Sequence, residues 1–458
     1  MNKKIKALLT IGVLALVALT SSCQSDNKAP KGDQTAETYQ EPGAFTIRFS
    51  VPSGDPVKYD LRGIQDEREY TIDNVTLLIY EANKLALDPI AISSSELKGT
   101  NDPTKKVYSS TNNQIPKGNV TIYAIANEDN AALTALQKGS ELSQLQAIIA
   151  KGEQKANESS SLVVNGDGKA GSSDKIPMVG VREGVKLSGQ DVTIDLERIV
   201  ARIDIKNNVD NGQLEITEVT LENANSKSLL VNDNLANVPA VSQKVGGVKP
   251  FLFTPGAERM EHNKVFYLYE GNQAGTTAKE ATRVVIKAKF KGESKVYDIP
   301  FFDRKSNKGI NIVRNTLYRI SLGTDRTGYN LTFSIEVADW NGHPETVVTW
   351  DLISVAYDEA NNASGFSYNS ALHELTAPKT AASAYFTPAY GLDYASSKFT
   401  ATVGASAASW LTASVENDGR VKVNVQDAGT AAREGYVTIT CDANPQHKYL
   451  ILVKQDKQ

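Results

Sequence analysis

The chain has 458 residues, room for about three domains at ~150 residues each. Its 40% hydrophobic and 22% charged residues support packed cores and exclude wholesale disorder. A formal net charge of −4 excludes a nucleic-acid binder working through an electropositive footprint, and four His with two Cys leave little for a soft-metal or thiol centre.

Residues 1–22 run from a basic start through an apolar stretch, Ile5 to Leu19, to small residues. That is the order of a secretory signal, and the stretch falls short of the ~20 residues of a transmembrane span. Leu19-Thr20-Ser21-Ser22-Cys23 resembles a bacterial lipobox, with Thr20 where Leu is usual. The resemblance implies cleavage between Ser22 and Cys23, diacylglycerol on the Cys23 sulfur and a further acyl chain, such as palmitate, on the new amino terminus. Such a chain set anchors a lipoprotein to the outer membrane essentially permanently. Loss of Lys3, Lys4 and Lys6 with the leader makes the mature chain more acidic. Cys441 is then left without an intrachain partner, so no disulfide framework is expected.

Residues 23–43 are polar and aperiodic, a flexible tether. From Ala44 short alternating segments begin. Phe45, Ile47, Phe49 and Val51 alternate with polar residues and predict a half-buried strand. Further strands are predicted at Val75–Tyr80 and at Val120–Asn127, the latter opened by the turn Pro116-Lys117-Gly118. Leu142, Leu145, Ile148 and Ile149 fall at helical spacing, predicting a helix from Glu141 to Lys151 capped by Ser140. Residues 152–175 read as loop. Asn165-Gly166-Asp167-Gly168 there lacks the closing Glu of a calcium loop and reads as turn chemistry, so no metal is expected. Strands resume at 192–196, 203–205, 214–221, 265–269, 284–290, 318–322, 331–337 and 347–350. Beyond Leu352 the chain turns rich in Ala, Ser and Tyr, with strands at 399–403, 421–425, 435–440 and 449–453 and an Ala/Ser-rich loop over 381–397. The reading is mainly β: sandwiches over 44–190 and 191–352 with one or two short helices, then a separate sandwich over 353–458.

No nucleophile elbow, zinc-protease motif or phosphate loop occurs, and no single carboxylate pair stands out among 53 Asp and Glu residues. The chain reads as a non-enzyme without a cofactor.

Four segments in order carry a family resemblance. They are Val75–Tyr80; Ile115 to Asn127; Ile176-Pro-Met-Val-Gly180 followed by Leu196-Glu-Arg-Ile-Val-Ala-Arg202; and Arg314-Asn-x-x-Tyr318 followed by a strand ending Ala338-Asp-Trp340. Together they resemble the fimbrillins, the FimA-type and Mfa-type pilins of type V pili. The resemblance implies transthyretin-like sandwiches and a role as a structural, accessory or tip subunit in cell adhesion. Each segment by itself reads as scaffold.

Residues 353–458 resemble a BACON domain through Ser409-Trp-Leu411, Val421–Val425, Arg433-Glu-Gly-Tyr-Val437 and Ile451-Leu-Val-Lys-Gln455. The resemblance implies an immunoglobulin-like sandwich that serves as a spacer or binds carbohydrate, with host or dietary glycans or mucin as partners. Tyr385, Tyr390 and Tyr394 are the candidates to stack on sugar faces, although tyrosines also pack cores; Trp410 beside Leu411 reads as core. A non-polymerising surface glycan-binding lipoprotein is the alternative function.

The fimbrillin resemblance also implies assembly with other fimbrial subunits by donor-strand exchange. The first strand fills a groove until an arginine-specific protease cuts after it, and a neighbour's strand then takes its place. In this chain Arg62, followed by Gly63, stands where that cut is expected, with Lys58 and Arg68 as competitors. Stalk subunits end soon after the Trp340 segment, so the extra 353–458 region favours an accessory, tip or anchored subunit.

Overall fold

The computed structural model describes residues 44–52, 67–110, 115–151, 175–209, 212–232, 235, 244–245, 251–253, 261–303, 306–324, 331–339, 345–351, 353–370, 372–390, 398–442 and 444–458. The leader, the tether with Cys23, the segment holding Lys58, Arg62 and Gly63, the Asn165–Gly168 turn, Trp340 and Tyr394 lie outside these residues. The protein is mainly β, as its alternating sequence predicts.

The first sandwich packs two sheets. One has the order Lys98–Gly99, Lys105–Ser110, Phe45–Ser50, Asp191–Asp195. The other runs Glu197–Arg198, Met178–Val185, Val120–Ala126, Val75–Glu81, Lys84–Leu85, with Ile90–Ile92 also paired to Val75–Glu81. Between them lies a core of Phe45, Ile47, Phe49, Leu77, Ile79, Ile122, Ala124 and Ile194. Asp191–Asp195, predicted to open the second sandwich, hydrogen-bonds parallel to Phe45–Ser50.

Val75–Glu81 and Val120–Ala126 are near-continuous apolar runs because both of their faces are covered. Leu78, Tyr80, Tyr123 and Ile125 leave the first core on the far side. They pack instead on the short helices and on Ile199, Val200, Leu230, Tyr267 and Tyr269. A second apolar layer thus joins the first sandwich to the next.

The second sandwich faces Glu261–Tyr269, Val200–Asn207, Thr316–Thr324, Leu331–Asp339 and Glu345–Asp351 against Phe251–Leu252, Leu214–Glu222, Arg283–Phe290 and Glu293–Pro300. The third places Ile353–Tyr357, Ala382–Tyr390, Val421–Val425 and Leu411–Val415 over Ser367–Asn369, Glu374–Ala377, Asn444–Gln455, Arg433–Cys441 and Phe399–Val403. Its core is drawn from residues 353–453 alone and includes Trp410 and the unbridged Cys441. Gly435 is required there: a Cβ would lie 2.4 Å from the Ala407 side chain and 3.3 Å from the Trp410 ring.

Two predicted elements are corrected. The helix spans only Leu142–Gln146 and is capped by Glu141, not Ser140, through a reciprocal box with Gln144. Ile148 and Ile149 leave the helix to pair with the 228–230 segment, where the Leu230 N–H donates to the Ile148 carbonyl at 2.8 Å. The expected 381–397 loop contains the strand Ala382–Tyr390. Small Ala384 and Pro388 on its buried face hid the alternation. Pro388 is tolerated because the Val421–Val425 neighbour pairs only as far as Phe386, leaving one partner strand beyond it.

Candidate functional site

Phe45–Ser50 has a neighbour on each edge. It runs antiparallel to Lys105–Ser110, with Ile47 opposite Tyr108, and parallel to Asp191–Asp195, with Ile47 opposite Val192. Backbone bonds continue past both ends: the Gly189 N–H donates to the Ala44 carbonyl at 3.2 Å, and Val51 N–H to Thr104 at 2.9 Å. The Leu196 N–H donates to the Ser50 carbonyl at 2.8 Å.

The inward side chains are sealed. Phe45, Ile47 and Phe49 are 0% exposed and Val51 is 1%. Phe45 meets Tyr108 edge to face at 6.3 Å between centroids. Outward, Arg48 Nη2 donates to Asp191 at 2.7 Å, and the Thr46 and Ser109 hydroxyls lie 3.4 Å apart. Removing this strand would leave two unpaired backbone edges and a slot for four apolar side chains. That is the geometry of a strand-accepting groove.

The chain is described again from Glu67, where the helix Glu67–Tyr70 is clamped by buried charge. Glu69 is 1% exposed. Its carboxylate accepts Arg202 Nη1 at 3.2 Å on both oxygens and the Tyr267 hydroxyl at 2.6 Å. Its carbonyl accepts Arg198 Nε at 2.6 Å. Arg202 in turn donates bidentately to Asp204 at 2.8 and 2.7 Å. Burial pushes Arg198 down to about 10, partly opposed by Glu69, so it stays charged at neutral pH. Arg198 Nη1 also reaches Asn315 Oδ1 at 3.1 Å. Beside Asn315, Arg314 pairs with Glu270, with Nε 3.0 Å from Oε2, and donates to the Leu229 and Leu230 carbonyls at 2.9 and 3.0 Å. The contacts of Glu69 with Arg202 and Tyr267, and of Arg198 with Asn315, fix the first sandwich to the second.

The sequence placed Arg198, Arg202, Arg314 and Asn315 inside resemblance-bearing segments but read them as scaffold. Glu69 was missed: its flanks are charged, and its partners lie 129 to 198 residues away.

Of the three tyrosines, Tyr385 is half-buried, with the Arg420 guanidinium 4.8 Å and the Lys422 ammonium 5.8 Å from its ring centroid. Tyr390 ends the strand paired to Ile353. Trp410 is 6% exposed, with Arg433 4.6 Å over its ring, and is core.

A family model described as fimbrillin-A associated anchor proteins Mfa1 and Mfa2 matches residues 37–343. Among solved structures the chain is similar to the tip fimbrial protein Mfa3 from Porphyromonas gingivalis with a C-terminal truncation. Identity is 13%, coverage 65% of this chain and 100% of that one, and TM-score 0.44. It is also similar to a candidate cell adhesion protein from Bacteroides eggerthii, at 15% identity, 66% and 96% coverage and TM-score 0.42. Nothing matches among curated proteins.

Proposed function

The chain belongs to the family of fimbrillin-A associated anchor proteins, and from that premise we propose that it is a surface lipoprotein that joins a fimbrium by strand replacement. Cys23 carries the lipid that delivers it to the outer membrane. A cut after Arg62 frees the Phe45–Val51 strand together with the tether, and a strand from another fimbrial subunit takes the vacated place.

The observation that carries this reading is the position of the first strand. It is the first strand among the described residues, yet it lies inside a sheet with hydrogen bonds on both edges and four buried side chains. Four such residues contribute on the order of 6–12 kcal/mol as an upper estimate, comparable to a domain's whole stability. An emptied groove is therefore a strong acceptor.

The carboxyl end supports an accessory, tip or anchored subunit over a stalk subunit. Glu345–Asp351 pairs with Leu331–Asp339 and passes through the single residue Leu352 into Ile353–Tyr357, the first strand of the third sandwich. Giving that strand to a neighbour would strip Leu331–Asp339 of its backbone partner on that edge and drag a folded sandwich with it. This chain accepts a strand and does not lend one.

The N-terminal residue of the protein recovered from assembled fimbriae tests the reading. Gly63 is expected. Recovery of acylated Cys23 with the first strand still present would overturn it and leave the non-polymerising lipoprotein.

A further inference from the structure

Outside the strand groove, a cavity of about 270 Å³ opens beside the edge strand Asp191–Asp195. Val181, Arg182, Thr193, Asp195 and Glu197 line it, with Arg314 among its walls. The close approach at Gly180 gathers them: a Cβ there would lie 2.4 Å from the Asp195 carbonyl, so only glycine lets Met178–Val185 run this near to Asp195.

The side chains of Arg182, Thr193, Asp195 and Glu197 make no hydrogen bond or ion pair among the described residues. Surface charges of opposite sign that share one cavity without pairing are left available to a ligand. Arg314 is different. Glu270 and the 228–230 segment hold it rigidly, its charge is matched, and one Nη1 hydrogen has no acceptor among the described residues. The unmatched charge is therefore two carboxylates against one guanidinium, which disfavours phosphate, sulfate and acidic sugars. What suits the cavity is a neutral molecule with many hydroxyls. Asp195 and Glu197 accept from adjacent hydroxyl groups, and Arg182 and Arg314 donate to ring and hydroxyl oxygens. Val181, 38% exposed, offers an apolar contact to ring C–H groups. The volume lies below the roughly 300–1,000 Å³ of sites for drug-sized ligands, so it admits one ring and not a chain.

We propose that this cavity binds a single neutral pyranose residue, the end or a branch of a glycan. The site lies on the paired sandwiches, away from the tyrosines of the third, and stands independently of strand removal.

Saturation-transfer NMR on the full chain tests it, with the methyl glycosides of galactose, mannose and glucose, N-acetylglucosamine, and N-acetylneuraminic acid as the acidic comparison. Transfer is expected to the ring protons of at least one neutral sugar. It should fall at least tenfold in the Asp195→Asn, Glu197→Gln double variant, with melting unchanged. Thr193→Trp, which crowds the cavity from an exposed position, should do the same should the double variant fold poorly. Transfer to no neutral sugar, transfer only to N-acetylneuraminic acid, or equal transfer in the variants would overturn the proposal.

Discussion

Glu69 sits on a helix of four residues, too short to hold itself, and is fixed by Arg198, Arg202 and Tyr267. The arginines are buried and charged, so removing the carboxylate strands positive charge in the interior. Glu69→Ala is expected to cost about 3–5 kcal/mol in urea unfolding of the paired sandwiches. A loss below about 1 kcal/mol would mean the clamp is incidental. Glu128 behaves oppositely. Burial raises its pKa, partly opposed by the Lys151 N–H at 2.7 Å and the Asn130 amide at 3.2 Å. A raised carboxyl pKa means the folded chain holds the proton more tightly. Glu128 therefore favours folding below the ordinary carboxylate range and opposes it as pH rises through the folded pKa. Glu128→Gln keeps the acceptor for both donors and removes the charge. Its melting temperature should exceed that of the wild type near neutral pH, with the gain shrinking toward ~pH 4; no gain at neutral pH would contradict this account.

At the scale of elements, Gly180 sets how closely Met178–Val185 approaches Asp191–Asp195. Gly180→Ala would place Cβ 2.6 Å from an Ile194 methyl as well as against the Asp195 backbone. It should destabilise the first sandwich by about 1–3 kcal/mol, read from the denaturant midpoint. What the sequence disclosed about elements follows from side-chain size. Phe45, Ile47, Phe49 and Val51 announced their strand because large residues at period two are the signature of a pleat with one buried face. Its partner Lys105–Ser110 went unseen, since Val107 and Tyr108 are its only large apolar residues and no alternation shows. Ala382–Tyr390 stayed hidden behind alanines. Thus the strand that fills the groove was legible and one wall of the groove was not. The Glu69 clamp was illegible for another reason: nothing local to a charged stretch reveals partners in another sandwich.

For the whole molecule, the third sandwich closes its own core, with Phe386, Trp410, Val423 and Ile439 packed together and no residue of the other cores among them. Residues 353–458 alone should therefore unfold in one cooperative thermal transition, whereas residues 44–190 without the second sandwich should not. The latter would expose Leu78, Tyr80, Tyr123 and Ile125, which the second sandwich covers. A third sandwich that melts only together with the rest would count against its independence. The larger claim is that Phe45–Val51 is a replaceable part of a sheet that otherwise stays folded, held at its downstream side by Glu69. The direct measurement is to cut the native chain with an arginine-specific protease and add a labelled peptide of residues 44–52. The account predicts loss of the original strand, uptake of one peptide per chain and recovery of the lost thermal stability. A cut chain that keeps its first strand and takes up no peptide would contradict it.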